Sequence, residues 1–155
     1  MIQRIQSLYL TFIIVLSILL MNGSILNFTG ESGNAAKLSA AGELSDEGRK
    51  LIAHIAPAWP VIALLAGIGL ISIASLFMYR NRRLQMLLTM SVIVLSVLLT
   101  GAVAWLGFSV IHDFRMTLSA GIKMAFPVLI LILAIMAFMG IQKDERLVKS
   151  YDRLR

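Results

Sequence analysis

The chain has 155 residues, of which 59% are hydrophobic and only 14% charged, with a mean hydropathy of +0.88. A water-soluble domain carries about 25% charged and about 45–50% apolar residues, so a chain of this size has no interior large enough for the excess, and lipid must be its main solvent. Cysteine is absent, which excludes disulfides, thiolate metal sites, iron–sulfur ligation and a cysteine nucleophile, and the net charge of +6 reports membrane topology, because no soluble domain is left to bind nucleic acid.

The charged residues fall in five clusters separated by four charge-free stretches, residues 5–30, 51–79, 84–112 and 124–142. Crossing a hydrocarbon core of about 30 Å takes roughly 20 helical residues, so each stretch holds one span and none holds two. Runs of Leu, Ile and Val without period-two alternation favour helices over barrel strands. The expectation is an all-α integral membrane bundle of four transmembrane helices, near residues 8–28, 59–79, 84–108 and 124–141, in a single domain covering 1–155.

The first span begins after Arg4 and is read as uncleaved, since its apolar run continues through Ile25, Leu26 and Phe28 with no small-residue cleavage site close behind. The outer loop, 29–56, opens with Gly, Ser and Asn. Ser45 can cap a helix whose first turn carries Asp46 and Glu47, with Leu44, Leu51, Ile52 and Ile55 on one face. This predicts a short amphipathic helix on the membrane surface, leading into the second span. Pro57, Pro60 and Pro127 lie at or before the starts of spans two and four, where a missing N–H costs nothing.

Orientation follows from the basic residues. Arg4, Arg80, Arg82, Arg83, Lys143, Arg146, Lys149, Arg153 and Arg155 lie on one side; Lys37, Arg49, Lys50, Arg115 and Lys123 lie on the other. With acids included, the first side holds the whole net charge. The positive-inside rule makes it cytoplasmic, so both termini are expected inside. The tail, 142–155, mixes both signs and spaces Val148, Tyr151 and Leu154 three apart. It can continue the fourth helix, either as a solvated anchor or as a handle for a partner, with Arg146, Arg153 and Arg155 pairing acids around those apolar residues.

Little in the chain carries chemistry. No ionisable residue falls within a span, which argues against a proton-coupled transporter. His54 and His112 flank spans two and three without ligand spacing, and Met78, Met86, Met90, Met136 and Met139 read as packing residues, so no cofactor or metal is expected. There is no paired-carboxylate, Ser/His/Asp or glycine-rich phosphate arrangement, and no enzymatic activity is expected. Small residues do form stripes: Thr89, Ser96, Thr100, Ala104 and Gly107 along span three, and Ala63, Gly67 and Ala74 along span two. In lipid such faces let helices approach closely, within the bundle or toward a partner.

Three segments outside the spans, MIQRIQ at the start, YRNRRLQ after span two and KDERLVKSYDRLR at the end, resemble a bacterial membrane-protein family known as domain of unknown function 4293. The resemblance implies a small four-helix protein of the Gram-negative inner membrane, and it carries over no functional residue. It favours the tail as a contact, since that segment is not needed merely to span. The expected function is a non-catalytic accessory or assembly subunit of an inner-membrane complex, binding a membrane protein or a second copy through helix faces and tail. The alternative is a small oligomeric transporter or channel for an uncharged or lipid-like solute.

Overall fold

The computed structural model describes residues 3–30, 35–46, 51–54, 59–78, 81–119 and 121–152. Four helices are present: α1 (Gln3–Met21), α2 (Trp59–Phe77), α3 (Arg82–Phe114) and α4 (Phe126–Asp152). Five strands accompany them: β1 (Ser24–Thr29), β2 (Ala35–Ser39), β3 (Glu43–Asp46), β4 (Leu51–His54) and β5 (Thr117–Ser119). The helices close a ring in which α1 packs on α2 and α4, and α3 on the same two. Leu10, Ile13 and Leu20 of α1, Leu65 and Ile68 of α2, Leu99 of α3 and Ile130 and Ala134 of α4 fill its interior.

Among the described residues, three helices are long and apolar enough to cross a membrane: Trp59–Phe77, Arg82–Asp113 and Ile122–Glu145, whose most apolar 18-residue stretches have mean hydropathies of 2.3, 2.4 and 2.7. The apolar part of the first helix, Gln6–Met21, is shorter. The fold is thus four helices and a small sheet, and the three apolar helices suggest a multi-pass membrane protein by length and composition.

The outer loop departs from the all-α expectation. Its described part forms an antiparallel sheet, in the order β4-β3-β2-β1-β5, and no amphipathic helix. Ser45 and Asp46 belong to β3 and Leu51 and Ile52 to β4, while Glu47 and Ile55 lie outside the described residues. Leu44 does face inward, but as a strand residue opposite Leu38 on β2 and Ala53 on β4. Along β2, buried Ala36 and Leu38 alternate with exposed Lys37, the period of a sheet with one face covered. A turn at Gly42, with φ of +78°, reverses the chain between β2 and β3. There Ser39 Oγ accepts from the Glu43 amide at 3.2 Å. The loop's spacing of apolar residues fitted a helix locally, whereas its burial comes from antiparallel pairing between consecutive short strands.

The first helix is also shorter than expected. It stops at Met21, where the Asn22 amide and side chain both donate to the Ile18 carbonyl and Gly23 takes φ of +101°. Ile25, Leu26 and Phe28 are apolar because β1 buries them against the bundle, with Phe28 fully buried, and not because they continue a span. α3 runs six residues beyond its expected end at 108 and finishes at Arg115 in the left-handed region, so His112 and Asp113 occupy its last turn instead of a loop. α4 follows a short 3-10 turn (Ile122–Ala125) and continues through most of the tail. Pro60 and Pro127 fall in the first turns of α2 and α4.

Candidate functional site

The end of the bundle that gathers the start of α1, the α2–α3 connection and the far part of α4 carries a polar cluster. Gln6, 4% exposed, donates through Nε2 to Asp144 Oδ2 at 2.7 Å. Arg82 donates from its guanidinium to the Asp144 backbone carbonyl at 3.1 Å. A Cβ on Gly140 would stand 3.0 Å from Gln6 Cγ, so the bare glycine one turn before Asp144 lets the Gln6 side chain lie along α4. Asp144 therefore ties three helices with one side-chain oxygen and one carbonyl.

The cluster continues inward. Gln85 is buried near the start of α3, and its carbonyl accepts from Thr89 Oγ1 at 2.8 Å. Thr89 in turn lies 3.2 Å from Ser75 Oγ across the α2–α3 contact. Farther along α3, Ser96 and Thr100 donate to their own helix at Val92 and Ser96, as Ser17 of α1 does at Ile13. Ser72 differs: its hydroxyl is fully buried and has no hydrogen-bond partner among the described residues.

The small-residue stripes divide between inside and outside. Thr89 and Ser96 are fully buried, and a Cβ on Gly107 would lie 3.3 Å from Leu26 of β1. Thr100 is half-buried, whereas Ala104 is exposed. On α2 only Gly67 turns toward a neighbour, with 3.7 Å between its would-be Cβ and Leu95 of α3. Ala63 and Ala74 are exposed, a correction to the expected seam: Val61, Leu65, Ile68, Ser72 and Ser75 form the inward face of α2. Met78, Met90, Met136 and Met139 likewise point outward rather than fill the core. His112 Nδ1 lies 3.2 Å from Asp113 Oδ1, both well exposed, and no described His, Asp and Glu side chains gather into a metal-binding group.

The model of one family, Domain of unknown function (DUF4293), matches residues 2–154. The chain belongs to this family. No curated protein and no solved structure matches it. The three segments that carry the DUF4293 resemblance meet at the polar cluster: Gln6 closes the first, Arg82 sits in the second and Asp144 in the third. Arg146, Val148 and Tyr151 fall within α4, and Arg153, Leu154 and Arg155 lie outside the described residues. Reading the sequence alone missed Gln6 and Asp144 as a pair. A polar residue at each end of an apolar stretch was visible, but which helices would be neighbours was not.

Proposed function

We propose that this DUF4293 chain is a four-span protein of the bacterial inner membrane, with both termini cytoplasmic. It acts without catalysis, as an accessory or assembly subunit that binds a partner at its cytoplasmic end. The nineteen residues of α1 rise about 28 Å, close to a hydrocarbon core of about 30 Å, which supports a fourth span. The positive-inside rule supports the orientation, because the end holding Gln6, Arg82 and Asp144 also carries the larger share of the basic residues.

One observation carries the docking reading. α4 is unbroken from Phe126 to Asp152, so it runs eight residues, or about 12 Å, past the point where Gln6 and Arg82 hold it. A tail serving only as positive charge needs no anchored helix to present it. Purification of the full chain in mild detergent, followed by mass spectrometry of accompanying proteins, tests the reading. A stoichiometric protein should accompany the full chain and be lost when the chain is cut after Glu145. A tail-truncated chain that keeps every companion overturns the reading.

The unpartnered hydroxyl of Ser72 favours a second reading, a solute path in an oligomer, because a buried polar group without a partner is unusual unless water or a ligand meets it. Cysteine at position 72 separates the two. It resists a water-soluble thiol reagent in a closed bundle and reacts where a wet path passes it.

A further inference from the structure

On the sheet side of the bundle, a cleft of about 290 Å³ separates α3 from α4. Thr100, Ala104, Gly107 and Ile111 of α3 line one side and Val128 of α4 the other, while Leu26 of β1 and Leu118 of β5 complete the lining. The stripe that sequence suggested as a close helix contact is, over this upper half, the wall of a gap. Its small side chains leave space that no other described residue fills. The wall is almost wholly apolar, and the Thr100 hydroxyl already donates to the Ser96 carbonyl at 2.8 Å. Phe108 and Val128 at the rim are 72% and 47% exposed, so the cleft opens sideways onto the bilayer.

We propose that this cleft seats one acyl chain of an anionic phospholipid from the leaflet on the sheet side. The inference rests on α3 and α4 crossing the bilayer and is independent of the docking reading. An empty gap would forfeit the dispersion contacts of its lining, and hydrocarbon is the filler that the surroundings supply. Length selects the occupant. From Thr100 to Ile111 the cleft runs about 16 Å along α3, and one leaflet of a hydrocarbon core is about 15 Å deep. A transmembrane helix, about 10 Å across, is too wide for a cleft of about 290 Å³, whereas a single hydrocarbon chain is not. Charge selects the headgroup. Arg115 is exposed within about one turn of Ile111, and Lys123, whose Nζ donates to the Asn22 carbonyl at 3.1 Å, adjoins Met124 at the same end of the cleft. Asp113, 3.2 Å from His112, offsets one of these two charges. The one positive charge left beside the cleft attracts an anionic headgroup.

Native mass spectrometry of the full chain in mild detergent, with phosphatidylglycerol or phosphatidylcholine of defined acyl length added, tests the proposal. The unmodified chain should retain one phosphatidylglycerol more firmly than one phosphatidylcholine. Ala104→Trp places an indole in the cleft from its exposed side and should weaken retention about tenfold. Leu98→Trp, on an exposed face of α3 that lines no cleft, should leave retention unchanged, and Arg115→Gln should erase the preference for phosphatidylglycerol. Ala104→Leu, the milder filling, should weaken retention in the same direction and guards against a misfolded tryptophan variant. Equal retention by all variants overturns the proposal. So does a second copy or a protein partner that is present without lipid and is displaced by Ala104→Trp, which would make the cleft a protein contact. A phosphatidylglycerol preference that survives Arg115→Gln overturns the assignment of the headgroup site.

Discussion

Gln6 Nε2 on α1 donates to Asp144 Oδ2 on α4 at 2.7 Å, across 138 positions of sequence. A hydrogen bond to a charged group contributes about 1.5–3 kcal/mol net, and the Gln6 side chain is nearly removed from solvent. Gln6→Ala and Asp144→Ala should each lower the melting temperature of the detergent-solubilised protein. The double variant should lose clearly less than the sum, with a coupling of about 1–2 kcal/mol. Additive losses would mean that the pair contributes nothing as a pair.

The stripe on α3 yields a prediction that separates inward from outward positions. A side chain at Gly107 must displace Leu26, whose Cδ1 would stand 3.3 Å from the new Cβ. Overpacking of this kind costs about 1–3 kcal/mol. Thr89→Leu adds bulk at a fully buried position and leaves Ser75 without its neighbour at 3.2 Å. Gly107→Leu and Thr89→Leu should therefore both destabilise, while Ala104→Leu, beside open space, and Val94→Leu, 54% exposed, should change little. Comparison of detergent melting temperatures decides it, and a destabilising Ala104→Leu would contradict the outward placement of that residue.

What the sequence revealed divides along the range of the interactions. The helices of spans two, three and four were legible because a charge-free stretch of Leu, Ile and Val identifies its solvent and its local structure together. Phe28 and Leu44 were misread for one shared reason. Each lies in a short strand, Phe28 opposite Ala36 and Leu118, Leu44 opposite Leu38 and Ala53, and apolar runs so short do not separate strand from helix by periodicity. Ala63 and Ala74 failed for another reason: small residues mark a face that can approach something, and they do not say whether that something is in the same chain. The three terminal and loop segments were recognisable as segments, yet their meeting at Asp144 depends on the ring order of the helices.

Orientation is testable by accessibility. Lys37 is exposed on β2 and Lys143 is exposed on α4, and they belong to opposite ends of the bundle. With both termini cytoplasmic, Lys37→Cys should react with a membrane-impermeant thiol reagent in intact spheroplasts. Lys143→Cys should react only after permeabilisation. The native chain has no cysteine to interfere. The reverse pattern would overturn the assignment made from the basic residues.

The last prediction concerns the tail, and the fold dictates how it must be tested. A tail that only sets topology works through total positive charge, so the order of its residues is irrelevant. A tail that docks depends on order, because Val148, Tyr151 and Leu154 recur at helical spacing among Arg146, Arg153 and Arg155. Scrambling from residue 142 would confuse the two cases, since it moves Asp144 and breaks the bonds from Gln6 and Arg82. Scrambling 146–155 alone keeps those bonds, the composition and the charge bias. This variant should insert normally, melt within about a degree or two of the unmodified chain and reach the same level in the membrane. It should nevertheless lose its co-purifying proteins and fail to restore a deletion strain that has a measurable defect. A scrambled tail that keeps its companions and restores the strain fully would reduce the α4 extension to an anchor and leave the solute path through Ser72 as the stronger reading.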